Sequence, residues 1–166
     1  MASVDKKDEE ILKELRKNGR ATLTELGRKI GLSPASIKNR IEKLESLGAI
    51  KGYSAIVDPT FLNEFIQAII EVELLVDNEA VDRMLYNISR LDNVIGVYRK
   101  TGEFQILIRA NFKDVPQLKE FVKSLSVKYL GKNMKRAKVS VIMDTFKEGG
   151  VIMQERKTRR RRRQLR

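Results

Sequence analysis

The sequence predicts an α+β chain in two parts: three short helices, then strands and helices in the order β-α-β-β-α-β. Three observations predict it. Apolar residues recur at spacings of three and four through the first 48 residues. From residue 66 onward, apolar and partly alternating runs interleave with two more helical stretches. Between the two patterns stands Asp58-Pro59, a pair that breaks regular structure and reads as a linker.

The first helix covers residues 5–17, with Ile11, Leu12 and Leu15 on one face and Asp8, Glu9, Lys13 and Arg16 around it. Asn18-Gly19 ends it, since both residues tolerate a left-handed backbone. Thr22 and Glu25 then form a capping box: the hydroxyl and the carboxylate each accept from a free amide at the start of a helix. That second helix turns Leu26 and Ile30 inward and stops at Gly31. Ser33-Pro34 starts the third, with Ser as N-cap and Pro at the first helical position. Its inward residues are Ile37, Ile41, Leu44 and Leu47, and Gly48 ends it. Two short helices joined through Gly31-Leu32-Ser33 make a helix-turn-helix. Residues 49–57 read as a strand or hairpin, the wing of a winged helix-turn-helix.

In the second part, residues 66–76, 93–99, 104–112 and 136–146 read as strands. Helices capped by Asp77-Asn78 and Asp114 lie between the first and second strands and between the third and fourth. This is the ferredoxin-like βαββαβ arrangement, with both helices on one face of a four-stranded sheet. Both sheet faces are partly apolar. Ile69 and Leu75 oppose Ile70, Val72 and Leu74, and Ile142 opposes Val139, Val141 and Met143, while Leu107 opposes Phe104, Ile106, Ile108 and Ala110. The second face is therefore expected to be buried against another subunit, giving a homodimer at least. The expected divisions are residues 1–57, a linker at 58–65, residues 66–148, and a disordered basic tail at 149–166.

Composition narrows the function. The chain has no Cys, His or Trp. That excludes disulfides and the usual zinc sites, and removes the Ser-His and Cys-His pairs of nucleophilic enzymes. No run approaches the roughly 20 apolar residues that span a bilayer, and residues 1–10 do not read as a signal peptide, so a cytoplasmic protein without a membrane partner is expected. Net charge is +12, unevenly placed. Residues 1–60 carry 12 cations against 9 anions, residues 61–146 carry 13 against 11, and residues 147–166 carry 9 against 2. A basic balance favours a polyanion partner, but here the tail dominates it.

The third helix carries the chemistry. At about 100° per residue, Ile37, Ile41 and Leu44 define its core side, with Ala35, Asn39 and Glu42 opposite and Ser36, Lys38 and Lys43 flanking. Arg40 falls near the core boundary, about 60° from Ile37. Pro34, Ala35 and Ser36 at the helix start permit close approach to base edges, and Asn39 can bond adenine in a bidentate way. Lys38, Arg40 and Lys43 are placed for phosphates, which position a protein without reading sequence. Double-stranded DNA is the partner this face implies.

These residues resemble a known family. Asp8-x-x-Ile11-Leu12-x-x-Leu15, Asn18-Gly19-Arg20, Glu25-Leu26, Ile30-Gly31-Leu32-Ser33, Arg40-Ile41-x-x-Leu44-Glu45 and Gly48-x-Ile50-x-Gly52-Tyr53 are similar to the DNA-binding half of the leucine-responsive regulatory protein/AsnC (Lrp/AsnC) family. With the second half, the resemblance covers about residues 4–146. It implies a transcription regulator, nucleoid-associated, acting as a dimer or an assembly of dimers on pseudo-palindromic promoter sites. It also implies an amino-acid-like effector, with no other cofactor and no metal. The effector contact would fall at the turn Thr101-Gly102-Glu103-Phe104-Gln105. Gln105 stands where the family usually has Asp, and a neutral amide holds an ammonium less well than a carboxylate does.

The tail, with Arg159, Arg160, Arg161, Arg162 and Arg163, is expected to add non-specific, salt-dependent DNA affinity. An architectural protein that coats DNA with little specificity is the alternative. RNA binding would need aromatic residues in the third strand, which Phe104-Gln105-Ile106-Leu107-Ile108-Arg109-Ala110 does not supply in the RNA-recognition pattern. An enzyme would need a nucleophile-base pair, a metal cluster or a phosphate loop, and the sequence contains none of these.

Overall fold

A computed structural model describes residues 3–153. Of these, the residues up to Ile56 and from Thr145 on form one compact unit, and Val57–Asp144 form a second. The arginines at 159–163 lie outside the described residues.

The first unit holds α1 (Lys6–Lys17), α2 (Leu23–Ile30) and α3 (Pro34–Ser46). Local chemistry sets every start. Asp5 and Asp8 form a capping box, each carboxylate accepting from the other residue's backbone N–H at 2.8 and 3.1 Å. Thr22 and Glu25 do the same for α2, and the Ser33 hydroxyl accepts from Ser36 N at 3.1 Å to start α3. Gly31 closes α2 in the left-handed conformation, φ 77°. At Gly27 a side chain is sterically barred: a Cβ there would lie 2.5 Å from the Leu32 carbonyl oxygen, so α2 and the turn pack backbone to backbone. The core is small: Ile11, Leu26, Ile30, Ile37 and Leu44 are buried, with Leu15, Ile41 and Ile50 against them.

The expected wing is not a strand. Residues 51–58 belong to no ladder. Ala49 and Ile50 spend their N–H groups on the Leu44 carbonyl, at 2.9 and 3.2 Å, and so finish α3 rather than begin a hairpin. The first unit instead contains β5 (Lys147–Glu148) and β6 (Val151–Ile152), an antiparallel pair turned at Gly149-Gly150. Residues 149–153, expected as the start of a disordered tail, thus belong to a hairpin.

The second unit comprises β1 (Ile66–Leu74), α4 (Glu79–Ser89), β2 (Val94–Arg99), β3 (Ile106–Phe112), α5 (Val115–Ser124) and β4 (Met134–Val141). The sheet is antiparallel in the order β2-β3-β1-β4, the ferredoxin-like order. Cross-strand pairs Ala68–Ala110, Ile70–Ile108 and Val72–Ile106 stack on the face covered by Val81, Ile88, Leu118 and Phe121 of the two helices. Phe112 meets Phe121 edge to face at 5.2 Å. The open face carries Ile69, Leu107, Tyr98 and Ile142 among charges already paired within the chain, such as Lys100–Glu71 at 3.1 Å and Lys135–Glu73 at 2.6 Å.

Two features of β4 differ from expectation. It ends at Val141 rather than at 146, because its partner β1 begins at Ile66 and offers a last bond from Ile142 N–H to the Gln67 carbonyl. Val139 and Val141 pair with Ile70 and Ala68, so they share the helix-covered face, yet at this edge strand they stay 40% and 50% exposed.

Candidate nucleic-acid interface

On α3, Pro34, Ala35, Lys38 and Asn39 are exposed, Ser36 is half-buried, and Ile37 and Leu44 are fully buried. The outer face matches the helical wheel. The Asn39 side chain makes no hydrogen bond among the described residues, so its amide is available to a base edge. Lys38 lies 3.6 Å from Glu42 one turn later, an exposed pair that a phosphate can outcompete.

Arg40 and Lys43 depart from expectation. Arg40 Nη1 donates to Asp5 Oδ2 at 2.7 Å and to Asp8 Oδ1 at 2.6 Å. Lys43 Nζ donates to Asp8 Oδ2 at 2.8 Å and to the Ser3 carbonyl at 3.0 Å. Both cations turn back onto α1 because a fully buried carboxylate is there to receive them. Burial alone would raise the Asp8 carboxyl, but the hydrogen bonds from Lys43 and Arg40 overcome it and hold the group at about 2. Asp8, read from the sequence as a surface residue, is the buried anion that fixes α3 on α1. Further ties come from Lys7 Nζ, which donates to the Ile30 carbonyl at 2.7 Å, and from Lys29 Nζ on Glu14 at 2.6 Å. Hydrogen bonds from Lys17 and then Lys29 bring the Glu14 carboxyl to about 2.

Two cations were missed by the sequence reading. Arg20, in the turn between α1 and α2, and Arg28, on α2, are exposed and form no ion pair among the described residues. Unlike Arg40 and Lys43, they have no carboxylate partner among the described residues. Only their exposed positions could have flagged them, and these depend on how α2 packs.

In the second unit, the turn after β2 is brought together as expected but is internally occupied. Gly102 has φ 103°, where a side chain would be strained, and Thr101 and Glu103 are exposed. Glu103 pairs with Arg136, whose guanidinium stands 5.0 Å over the Phe104 ring. Arg136 Nε also donates to Glu73 at 2.5 Å. Lys135 and then Arg136 hold the nearly buried Glu73 carboxyl below its ordinary range. Gln105 Oε1 accepts from Leu74 N–H at 2.9 Å, adding a side-chain bond at the end of the β1–β3 pairing. No cluster of metal-ligating side chains occurs among the described residues, and no described helix is long and apolar enough to cross a membrane.

Comparison with known proteins accounts for both units. Residues 4–45 match the AsnC-type helix-turn-helix domain and residues 67–152 the Lrp/AsnC ligand binding domain. An HTH-type transcriptional regulator of Pyrococcus furiosus is 56% identical over 154 residues, covering 92% of this chain and 99% of the relative. Among solved structures, LrpC of Bacillus subtilis aligns with TM-score 0.71 at 29% identity, over 88% of this chain and 99% of that one. A transcriptional regulator of Neisseria meningitidis in complex with L-Met aligns with TM-score 0.74 at 28% identity, over 88% and 94%.

Proposed function

Because the chain belongs to the Lrp/AsnC family of transcriptional regulators, whose members bind DNA through a helix-turn-helix and are not enzymes, we propose that it reads pseudo-palindromic promoter sites as a dimer or an assembly of dimers. The observation that carries this reading is the outer face of α3: a small N-terminal end, an unengaged Asn39 amide, and a helix held rigid by the buried Asp8. Ala35, Ser36 and Asn39 meet base edges, while Lys38, Arg20 and Arg28 meet phosphates. The open sheet face supports the dimer, since its charges are already paired and Ile69, Leu107 and Tyr98 stand between them. Two copies of α3 then face major grooves one helical turn, or a multiple, apart.

The test is selection of bound fragments from random DNA, then titration of the winner against scrambled DNA. A palindrome recovered by the full chain, with its specificity lost in Asn39→Ala, is the expected result. Absence of any motif sinks the reading and favours the architectural alternative, which the charge of residues 147–166 otherwise supports.

An amino-acid-like effector binds at Thr101–Gln105 in this reading; the N. meningitidis regulator in complex with L-Met supports an amino acid as the class of effector. Arg136 competes with the effector's ammonium for Glu103, and the Gln105 oxygen is committed to Leu74. Arg136→Gln therefore raises affinity for free amino acids in isothermal titration with L-Met and a panel of others. Unchanged heats across the panel count against an effector at this turn.

A further inference from the structure

We propose that the outer face of the two helices covering the sheet is a second, sequence-independent surface for duplex DNA. It is built by Arg83, Tyr86 and Arg90 on α4 and its C-cap, and by Lys119, Lys123 and Lys128 on α5 and the π-helical turn that follows it (Leu125–Tyr129). This surface is distinct from the outer face of α3 and does not depend on the operator reading above.

Helical geometry collects these residues. On α4, Val81 and Ile88 are fully buried, and at about 100° per residue Arg83, Tyr86 and Arg90 fall within about 60° of one another on the opposite side. Tyr86 stays 70% exposed between the two arginines. On α5, Leu118 and Phe121 are buried, and Lys119 and Lys123 stand one turn apart on the outer side. A regular α-helix would carry Lys128 about 140° away from Lys123. The π turn, closed by Leu130 N–H on the Leu125 carbonyl at 2.7 Å, rotates only about 80° per residue. Lys128 therefore falls within about 70° of Lys123, while Leu130 is turned into the core. The π turn lies beside α4, so both sets of residues share one helix layer.

Charge gives this face its chemistry. Elsewhere in the unit, cations are spent on carboxylates: Arg99 bonds Asp77 and Asp82, Lys100 and Lys138 hold Glu71, and Lys135 and Arg136 hold Glu73. All five cations of the helix face are exposed, and none has a carboxylate partner among the described residues. The anions on the same stretches are Glu79, Asp82 and Glu120; with Asp82 bound to Arg99, five cations against two anions leave a net +3. Like charges one turn apart, such as Lys119 and Lys123, weaken a helix, so the fold gains nothing from holding them there. Arg83 and Arg90 stand about 10 Å apart along the helix axis, and Lys119 and Lys128 about 13 Å apart. A duplex displays roughly 6 to 8 phosphates over such a length, which matches a spread row of cations. The Tyr86 hydroxyl adds a donor for a phosphate oxygen. The helix-turn-helix of the same chain brings duplex DNA to the protein and so raises its local concentration at this face.

The test uses the full chain on three duplexes: about 25 base pairs with the selected site, about 150 with that site centred, and about 150 of scrambled sequence. Arg83→Gln, Arg90→Gln, Lys119→Gln, Lys123→Gln and Lys128→Gln combined should lower affinity for both long duplexes about tenfold at about 0.1 M salt. The same variant should reduce the slope of log affinity against log salt by about 3 on long DNA and stay within about twofold of wild type on the short duplex. Lys119→Arg, Lys123→Arg and Lys128→Arg combined should keep the long-duplex affinity, because charge is what the face supplies. Since the chain has no cysteine, Asn87→Cys gives a unique attachment point beside Tyr86 for a photocrosslinker and removes no charge. Crosslinks to the long duplexes are expected from Asn87→Cys and not from Ser140→Cys, which lies on the open sheet face with Ile69. An unchanged salt slope in the five-fold Gln variant, or no crosslink from Asn87→Cys, overturns the proposal; a face that serves an acidic protein instead would give both results. Failure of the operator reading is separately visible: wild type would then not prefer the selected sequence over the scrambled one, with the salt slopes on long DNA unaffected.

Discussion

Among the described residues, the DNA-binding unit buries five apolar side chains in its core, while the sheet unit buries fourteen. The sheet unit relies on interdigitated aliphatic pairs across β1 and β3 and on the Phe112–Phe121 contact. The smaller unit cannot exclude much water by that means, and it ties its helices together with polar bonds instead: capping boxes at Asp5 and Thr22, and the buried Asp8 shared by Arg40 and Lys43. The two units should therefore respond to different insults. Loss of volume should damage the sheet unit, and loss of charge the helical one.

Hydrogen exchange followed unit by unit can sharpen or break this contrast. The largest effect is expected from Phe112→Ala, which should destabilise the sheet unit by about 3–5 kcal/mol and leave protection of α1–α3 unchanged. Asp8→Asn should cost the helical unit about 3 kcal/mol, near the low end for a broken buried pair because Arg40 and Lys43 keep partial access to water. It should also reduce discrimination between operator and scrambled DNA more than it reduces affinity for scrambled DNA. Equal losses on both would mean that the cluster does not orient α3.

Acid offers a third probe. The Asp8 carboxyl titrates at about 2 in the folded chain against an ordinary 3.8, so the stability it contributes is complete above about pH 4 and lost as pH falls towards 2. Glu14, at about 2, acts in the same direction. Protection in α1–α3 should decline through this window in wild type, and Asp8→Asn should flatten the decline. A decline confined to β1–β4 would contradict the contrast. The smallest effect is expected from Thr22→Ala, about 1 kcal/mol, confined to α2.

Features set by neighbouring residues were legible in the sequence. Thr22, Ser33, Asn78 and Asp114 all cap the helices they were expected to start, since a cap needs only a side chain and an amide two or three residues on. The alternation in β3 likewise showed which residues would be buried. Features that need a distant partner were not legible. Residues 142–146 and 51–57 have strand-like composition, but a ladder depends on a neighbour that neither segment has. The wheel placed Arg40 near the core boundary, but the carboxylate that receives it lies 32 residues earlier. Glu103 with Arg136, and Gln105 with Leu74, are separated by 33 and 31 residues and were hidden for the same reason.

The return of the chain from Asp144 to the first unit makes the sheet unit an insertion rather than a C-terminal appendage. Two covalent passages, one at Ile56-Val57 and one at Asp144-Thr145, join the halves. A fragment cut at Ile56 discards the hairpin that the first unit takes from the far end of the chain, and is therefore a poor stand-in for the DNA-binding unit of the intact chain.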